Sequence, residues 1–197
     1  MSKAPAQGTQ GYSTEAPELL QRYERFGFAE AHHGDIDLVP PAPLDVLDIG
    51  AGTGRDAAWF AQRGDRVTAI EPTREMREGA MKLHPEPNIT WVEDFLPEIA
   101  SQRGRTFDLV WMSAVWMHFA EAERAQNMQT VAVMMKPGGV LMITLRHGPV
   151  PPGRRMFEVT PEETIALAAR AGLDCIRSGE FGREEAYWWT RLWFKRD

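Results

Sequence analysis

Between Asp45 and Leu145 the chain switches repeatedly between two hydrophobic rhythms. Short, nearly continuous apolar runs occur at Asp45-Val-Leu-Asp-Ile49, Arg66-Val-Thr-Ala-Ile70, Asn88-Ile-Thr-Trp-Val92, Phe107-Asp-Leu-Val-Trp-Met112 and Val140 to Leu145. Their length and branched content predict buried strands. Between them, apolar residues recur at helical spacing up to about Arg63, from Thr73 to Leu83, and from about Glu121 to Met135. Lys136-Pro-Gly-Gly139 is expected to end the last of these helices, because proline cannot continue it and glycine tolerates the reversal. Strands alternating with helices predict right-handed βαβ units and a mainly parallel sheet covered on both faces.

The flanks follow other patterns. Residues 1–11 are small and polar and are expected to be mobile. A helix is predicted from about Ala16 to Phe26, with Leu19, Leu20, Tyr23 and Phe26 at helical spacing, and Gly27 to Pro43 reads as a loop. Thr160-Pro-Glu-Glu163 is a helix start, with a hydroxyl cap and proline in first position, and that helix stops at Gly172. Leu173 to Ser178 and Tyr187 to Lys195 read as two strands with no room for a crossover helix, so they should be antiparallel. The fold expected is α/β, a three-layer αβα sandwich with a seven-stranded, mainly parallel sheet and an antiparallel C-terminal hairpin. It forms one domain, with an N-terminal cap (1–43), a core (44–145) and a closing segment (146–197).

Composition narrows the chemistry. Cys175 is the single cysteine, which excludes an intramolecular disulfide, a four-thiolate zinc site and a cysteine-ligated iron–sulfur cluster. Its place in a strand predicts core packing. The formal net charge is −6 without a dense Lys/Arg run, which argues against broad binding to a phosphate backbone. No apolar run has the length of a membrane span and the N-terminus lacks the apolar core of a signal peptide, so a soluble, cytoplasmic protein is expected.

The central signal is Val46-Leu-Asp-Ile-Gly-Ala-Gly-Thr-Gly54. Glycines directly after a buried strand let the backbone turn sharply and approach a ligand, at the strand end where open α/β sheets bind ligands. The spacing is G-x-G-x-G, not the G-x-G-x-x-G of the dinucleotide fingerprint. Asp48 would repel a pyrophosphate but welcome an ammonium. Glu71, ending the second strand, can accept from both ribose hydroxyls, and Asp94, after the third, from an exocyclic amine. Together they describe a ligand with an amino group, a ribose and an adenine, but no phosphate.

These motifs resemble those of the class I, Rossmann-like S-adenosylmethionine-dependent methyltransferases. VLDIGAGTGRDA, AIEPTREM, VEDF, FDLVWMSAVWMHF and MKPGGVLMI follow in that family's order over about residues 44–145. The resemblance implies that Asp48, Gly50, Gly52 and Gly54 line the methionine end of the cofactor and that Glu71, with Pro72 beside it, holds the ribose. It places Asp94 and Phe95 around the adenine, with Met76 packed on it, and Ser113 beside the methionine moiety. Tyr12 aligns loosely with an N-terminal tyrosine of the family, and Arg55, with Asp56, is a further contact candidate. S-adenosyl-L-methionine would be the cofactor and S-adenosyl-L-homocysteine its product.

A methyl acceptor with a weakly acidic hydroxyl needs a general base, and His118, just after the fourth strand, is the candidate. The alternative is a half-exposed histidine bonded to backbone. Trp116 either stacks on the acceptor or packs in the core. His32 and His33 belong to a segment that can cap the site or simply be solvated, and one of them with Asp35 or Asp37 makes too sparse a set to predict a metal. Arg146-His-Gly-Pro-Val-Pro-Pro-Gly-Arg-Arg155 is either a stiff surface loop or a lid whose Arg146, His147, Arg154 or Arg155 meets an anionic acceptor. The leading reading is methyl transfer to oxygen or nitrogen of a small-molecule, anionic acceptor, by a monomer or homodimer without membrane or nucleic-acid partners. The alternatives are a nucleic-acid or protein methyltransferase of the same fold, a non-catalytic S-adenosylmethionine-binding protein, and an NAD-dependent oxidoreductase, which the glycine spacing and Asp48 oppose.

Overall fold

The computed structural model describes residues 8–34, 36–182 and 186–197. The expectation for residues 1–7, and the candidate Asp35, lie outside the described residues. Seven strands form one sheet: β1 (Asp45–Ile49), β2 (Arg66–Ile70), β3 (Ile89–Val92), β4 (Phe107–Met112), β5 (Met135–His147), β6 (Leu173–Phe181) and β7 (Trp188–Arg196). Their order is β3-β2-β1-β4-β5-β7-β6. The first five run parallel, and β7 pairs antiparallel with both β5 and β6. The α/β sandwich with a closing hairpin is therefore the observed architecture.

Alternation along each central strand divides the core in two. Leu47, Val110, Met112, Leu141 and Ile143 point to one face, under helices α5 (Glu121–Val133) and α6 (Pro161–Arg170). Val46, Leu109, Trp111, Val140 and Met142 point to the other, under α3 (Arg55–Gln62) and the short α2 (Phe28–Ala31). Successive side chains on a strand face opposite ways, so these near-continuous apolar runs bury both faces at once. The remaining helices, α1 (Tyr12–Arg22) and α4 (Arg74–Leu83), pack on each other through Ala16, Leu19 and Met76.

Four local expectations change. Helix α1 begins at Tyr12, launched by Gly11 in the left-handed region, so Pro17 lies inside it. The helix ends before Phe26, which is 54% exposed instead of joining the apolar face. The expected loop after Gly27 contains α2, because Phe28 stacks on Trp59 with ring centroids 3.8 Å apart and gives this segment its own apolar anchor. Cys175 is exposed, since β6 is an edge strand with one face in solvent. Among the described residues no helix is long and apolar enough to cross a membrane.

The fourth change concerns Lys136-Pro-Gly-Gly139, which is strand, not terminator. Helix α5 ends at Val133, and β5 opens with a bulge: Phe107 pairs with Met135, then Leu109 with Val140. The Lys136 ammonium sits between the Asp45 and Asp108 carboxylates, at 2.9 and 2.8 Å, fixing the bulge against β1 and β4. Proline and glycine are tolerated there because a bulge leaves ladder positions unpaired. A Cβ on Gly139 would lie 2.8 Å from the Lys136 carbonyl oxygen and 3.2 Å from that of Phe107. Gly139→Ala is therefore expected to lose about 1–3 kcal/mol of stability, the usual cost of forcing atoms into a packed site. Urea unfolding measures it, and an unchanged midpoint would show that the bulge relaxes freely.

Candidate active site

The turn after β1 sets the site. Gly50, Gly52 and Gly54 all have positive φ, at 72°, 58° and 86°, so the chain reverses through three left-handed residues before α3. The amides of Gly50 and Ala51 both donate to the Ile70 carbonyl oxygen, at 2.8 and 2.9 Å, which pins the turn to β2. A Cβ on Gly50 would meet Val115 at 2.5 Å, whereas one on Gly52 would have no neighbour nearer than 3.9 Å, so Gly52 faces open space. Gly54 differs from expectation. Its missing side chain makes room for the Trp91 ring, 2.6 Å from an added Cβ, and it does not border the cleft.

The cleft has a volume of about 870 Å³ and runs along the carboxyl ends of the parallel strands. Sheet order fixes the sequence of its walls. Asp94 follows β3, Glu71 follows β2, Asp48 belongs to β1, Ser113 follows β4, Arg146 lies near the end of β5, and Trp189 near the start of β7. The strand order reverses between β1 and β4, the switch point at which open α/β sheets bind ligands.

Three carboxylates occupy one half. Asp48 is 2% exposed, and one of its oxygens has no hydrogen-bond partner among the described residues. Burial, reinforced by the nearby Asp56 and Glu71 charges, pushes its carboxyl well above the usual range. Glu71 accepts from the Gly52 amide at 3.0 Å and the Thr73 amide at 2.7 Å, and burial raises its carboxyl too. Asp94 accepts from the Phe95 and Ser101 amides, at 3.0 and 2.8 Å, shaping the loop after β3. A buried carboxylate oxygen lacking a donor, beside an open glycine turn, fits the ammonium group of S-adenosylmethionine. Pro72, Phe95, Arg55 and Tyr12 also border this cleft. Met76 does not: it is buried between α1 and α4 against Ala16 and Leu19.

At the switch point Ala114 takes a left-handed φ of 59°, and its amide donates to the Thr144 hydroxyl at 2.7 Å, which turns the chain away after Ser113. His118 follows in a 3-10 turn (Trp116–His118). Its Nδ1 donates to the Arg155 carbonyl oxygen at 2.8 Å, so Nε2 carries the lone pair and accepts from the Tyr12 hydroxyl at 3.2 Å. Burial holds the imidazole below the ordinary histidine value, in its neutral form, and pushes the Tyr12 phenol up. Trp116 itself is fully buried against Phe119 and does not reach the cleft, because the 3-10 turn points it into the core.

The other candidates separate in the same way. His32 borders the cleft and donates from Nε2 to Asp56 at 2.9 Å; its Nδ1 is buried with no hydrogen-bond partner among the described residues. Asp56 also accepts from Trp111 at 2.9 Å and Arg55 at 2.8 Å. Burial opposes its ionisation, but His32 and Arg55 prevail and hold the carboxyl below the usual range. His33 faces away, bonded to the Glu30 carbonyl oxygen. His147 lies in β5, not in a loop. It takes the sheet face opposite Arg146, where it bonds Thr190 at 2.9 Å and stacks on Trp188. Arg154 borders the cleft, yet its guanidinium is committed to a bidentate pair with Glu15, at 2.8 and 2.7 Å. Arg155 bridges the His118 carbonyl oxygen and Glu123. Arg146, in the strand, donates to the Pro149 carbonyl oxygen and lies 4.8 Å from the centre of the Tyr187 ring. Phe26, Phe181, Tyr187 and Trp189 were missing from the sequence-based site and all border the cleft. The signal for the last three was the aromatic density of the closing hairpin.

Comparison with known proteins agrees with this geometry. Residues 46–139 match the family described as the methyltransferase domain. The chain is 28% identical over 159 residues to the trans-aconitate 2-methyltransferase of Azoarcus sp., covering 77% of this chain and 59% of that protein. It is 30% identical over 164 residues to the ubiquinone biosynthesis O-methyltransferase of Rhizobium rhizogenes, covering 72% of this chain and 65% of the relative. The chain thus spans less than two thirds of the length of either. Among solved structures, the magnesium protoporphyrin IX methyltransferase of Synechocystis PCC 6803 with bound S-adenosylmethionine shares the fold, with a TM-score of 0.67 at 17% identity over 95% of this chain and 80% of that one. The family match runs from β1 through the glycine turn and the three carboxylates to the β5 bulge, and this part of the chain is a methyltransferase domain with the fold of S-adenosylmethionine-dependent, class I enzymes.

Proposed function

We propose that this protein transfers the methyl group of S-adenosylmethionine to an oxygen or nitrogen of a small-molecule, anionic acceptor. The observation that carries the reading is the partnerless Asp48 oxygen beside the open glycine turn, a site that is satisfied by a ligand ammonium. A cleft of about 870 Å³ lies within the usual range for small ligands. The two curated relatives carry names that refer to trans-aconitate and to ubiquinone biosynthesis, which supports a small-molecule acceptor and, for the second, an oxygen atom.

The bound cofactor supplies a methyl group already activated on a sulfonium and leaves as S-adenosylhomocysteine. The protein's task is then chiefly orientation. With the cofactor bound, Asp48 would accept from the ammonium, Gly50 and Gly52 would expose backbone to it, Ser113 and Arg55 would border the methionine end, Glu71 and Pro72 would meet the ribose, and Asp94 with Phe95 would frame the adenine. A proton leaving an acceptor hydroxyl passes to the Tyr12 oxygen as the Tyr12 proton moves to His118 Nε2. The bond from His118 Nδ1 to the Arg155 carbonyl keeps that tautomer in place.

Thermal unfolding with S-adenosylmethionine, S-adenosylhomocysteine and NAD is the direct test. A ligand at about 100 times its dissociation constant adds roughly 2.7 kcal/mol, so both adenosyl compounds should raise the midpoint and NAD should not. No shift with either adenosyl compound would end the reading.

Asp48→Asn should bind S-adenosylhomocysteine about 10–100-fold more weakly, the loss of one charge-assisted hydrogen bond. Its effect on the free protein has the opposite sign. The Asp48 carboxyl is raised in the folded state, so folding favours the protonated form, and that stability disappears as pH climbs from 3.8 through the folded value. Free Asp48→Asn should therefore be more stable than wild type at pH 7. Equal stability there would contradict a buried, partnerless carboxylate.

His118 gives a second pH signature. Its folded value lies below 6.5, so its contribution to stability is complete above 6.5 and vanishes as pH falls through the folded value. His118→Gln should flatten that part of the stability profile relative to wild type. Parallel profiles would remove His118 as a buried neutral base.

A further inference from the structure

Resting on the methyltransferase reading, we infer that the β5–β7 end of the cleft is an acceptor subsite for a small aromatic carboxylate, held by Arg146 against the aromatic wall of the C-terminal hairpin. Sheet order divides the cleft electrically. The walls after β3, β2 and β1 carry Asp94, Glu71 and Asp48, while the walls from β5 and β7 carry Arg146, Tyr187 and Trp189. Ser113 and His118 lie between the halves, after β4, so a molecule in the second half presents its near edge to the methionine end of the first.

The arginines bordering the cleft are not equivalent. Arg55 is paired with Asp56, Arg154 with Glu15, and Arg22 lies 3.8 Å from Glu18. Among the described residues Arg146 has no carboxylate partner. One of its nitrogens donates to the Pro149 carbonyl oxygen, and the Tyr187 ring supports the guanidinium at 4.8 Å. It is half-buried, oriented by these two contacts, and keeps donors in reserve, since a guanidinium carries five. An oriented fork with unused donors matches a carboxylate in bidentate geometry. A single monocation also selects a monoanion: a phosphate dianion would leave one charge unbalanced among apolar walls, which is costly.

The rest of the subsite selects a flat ring. Trp189 and Phe181 face the cleft with ring centroids 6.3 Å apart, and Arg191 backs Phe181, 4.0 Å from its centre. Phe26 stands at the rim with half its surface exposed. Rings so placed offer edges and faces to another ring, a contact beyond simple burial. The bidentate Arg154–Glu15 pair ties the segment after β5 to α1, which closes the cleft toward a compact ligand and not toward an extended chain.

The test is titration calorimetry on the protein saturated with S-adenosylhomocysteine, using benzoate, benzamide and cyclohexanecarboxylate. Benzoate should bind. Benzamide, which lacks the charge, and cyclohexanecarboxylate, which lacks the ring, should each bind at least tenfold more weakly. Arg146→Met should weaken benzoate by about 10–100-fold while leaving S-adenosylhomocysteine affinity unchanged. Trp189→Leu, which removes a ring of the aromatic wall and leaves the cation and its Tyr187 support in place, should erase the preference for benzoate over cyclohexanecarboxylate. Normal S-adenosylhomocysteine binding with no benzoate binding, or benzoate binding indifferent to both substitutions, overturns the subsite and leaves the methyltransferase reading intact. Failure of S-adenosylhomocysteine itself to bind overturns both.

Discussion

Everything in the site follows from how the chain leaves β1. It must reverse direction within five residues while its amides stay on the Ile70 carbonyl, and three glycines with positive φ satisfy that demand. The amides of Gly50 and Ala51 go to Ile70 and that of Gly52 goes to Glu71, while one oxygen of Asp48, the last carboxylate before the turn, has no hydrogen-bond partner among the described residues. The same reversal delivers Asp56 into the first turn of α3, still at the border of the cleft. There it is ionised although fully enclosed, because Arg55, Trp111 and His32 all donate to it. The two carboxylates are close enough to raise Asp48 further, so the turn stores an electrostatic mismatch that a cationic ligand relieves.

The N-terminal segment is held by polar ties at places where it buries little apolar surface. His32 reaches Asp56, Glu15 reaches Arg154, and Arg191 donates to the carbonyl oxygens of Ala31 and His33. Pairs of this kind contribute modest net stability once desolvation is counted, but each is geometrically exacting. Their effect is registration. They set α1 and α2 over the cleft so that Tyr12 meets His118 and Phe26 stands at the rim.

Much of this was legible in the sequence because the information is local. A strand followed by a glycine turn, and an acid at the end of the next strand, are read from consecutive residues. The sheet then carries Asp48, Glu71 and Asp94 to one edge, so their convergence follows from topology alone. The failures share a different cause. Met76, Trp116 and His147 occupy suitable positions along the chain, but a one-residue change in direction on a helix or strand turns a side chain from cleft to core. Trp116 and Met76 are drawn into apolar packing, and His147 sits one residue out of phase with Arg146. Arg154 was misread for a long-range reason: its partner, Glu15, lies 139 positions away and nothing near either residue announces the pair. Lys136-Pro-Gly-Gly139 misled because the residues that stop a helix also make a bulge.

The electrical division of the cleft has a consequence for the order of events. Three acids on one side favour a cationic ligand, and on the other Arg146, which has no carboxylate partner among the described residues, favours the proposed anionic one, so each half discriminates against the other's ligand. In the proposed reaction the two charges are neighbours across the β4 wall, and their attraction favours the ternary complex over either binary one. Methyl transfer would remove the sulfonium charge while leaving Asp48 to hold the ammonium. That attraction weakens at the moment of product formation, although no contact with the protein has been broken. Charge placement along a single sheet edge can thus help assemble the reactants and loosen the products.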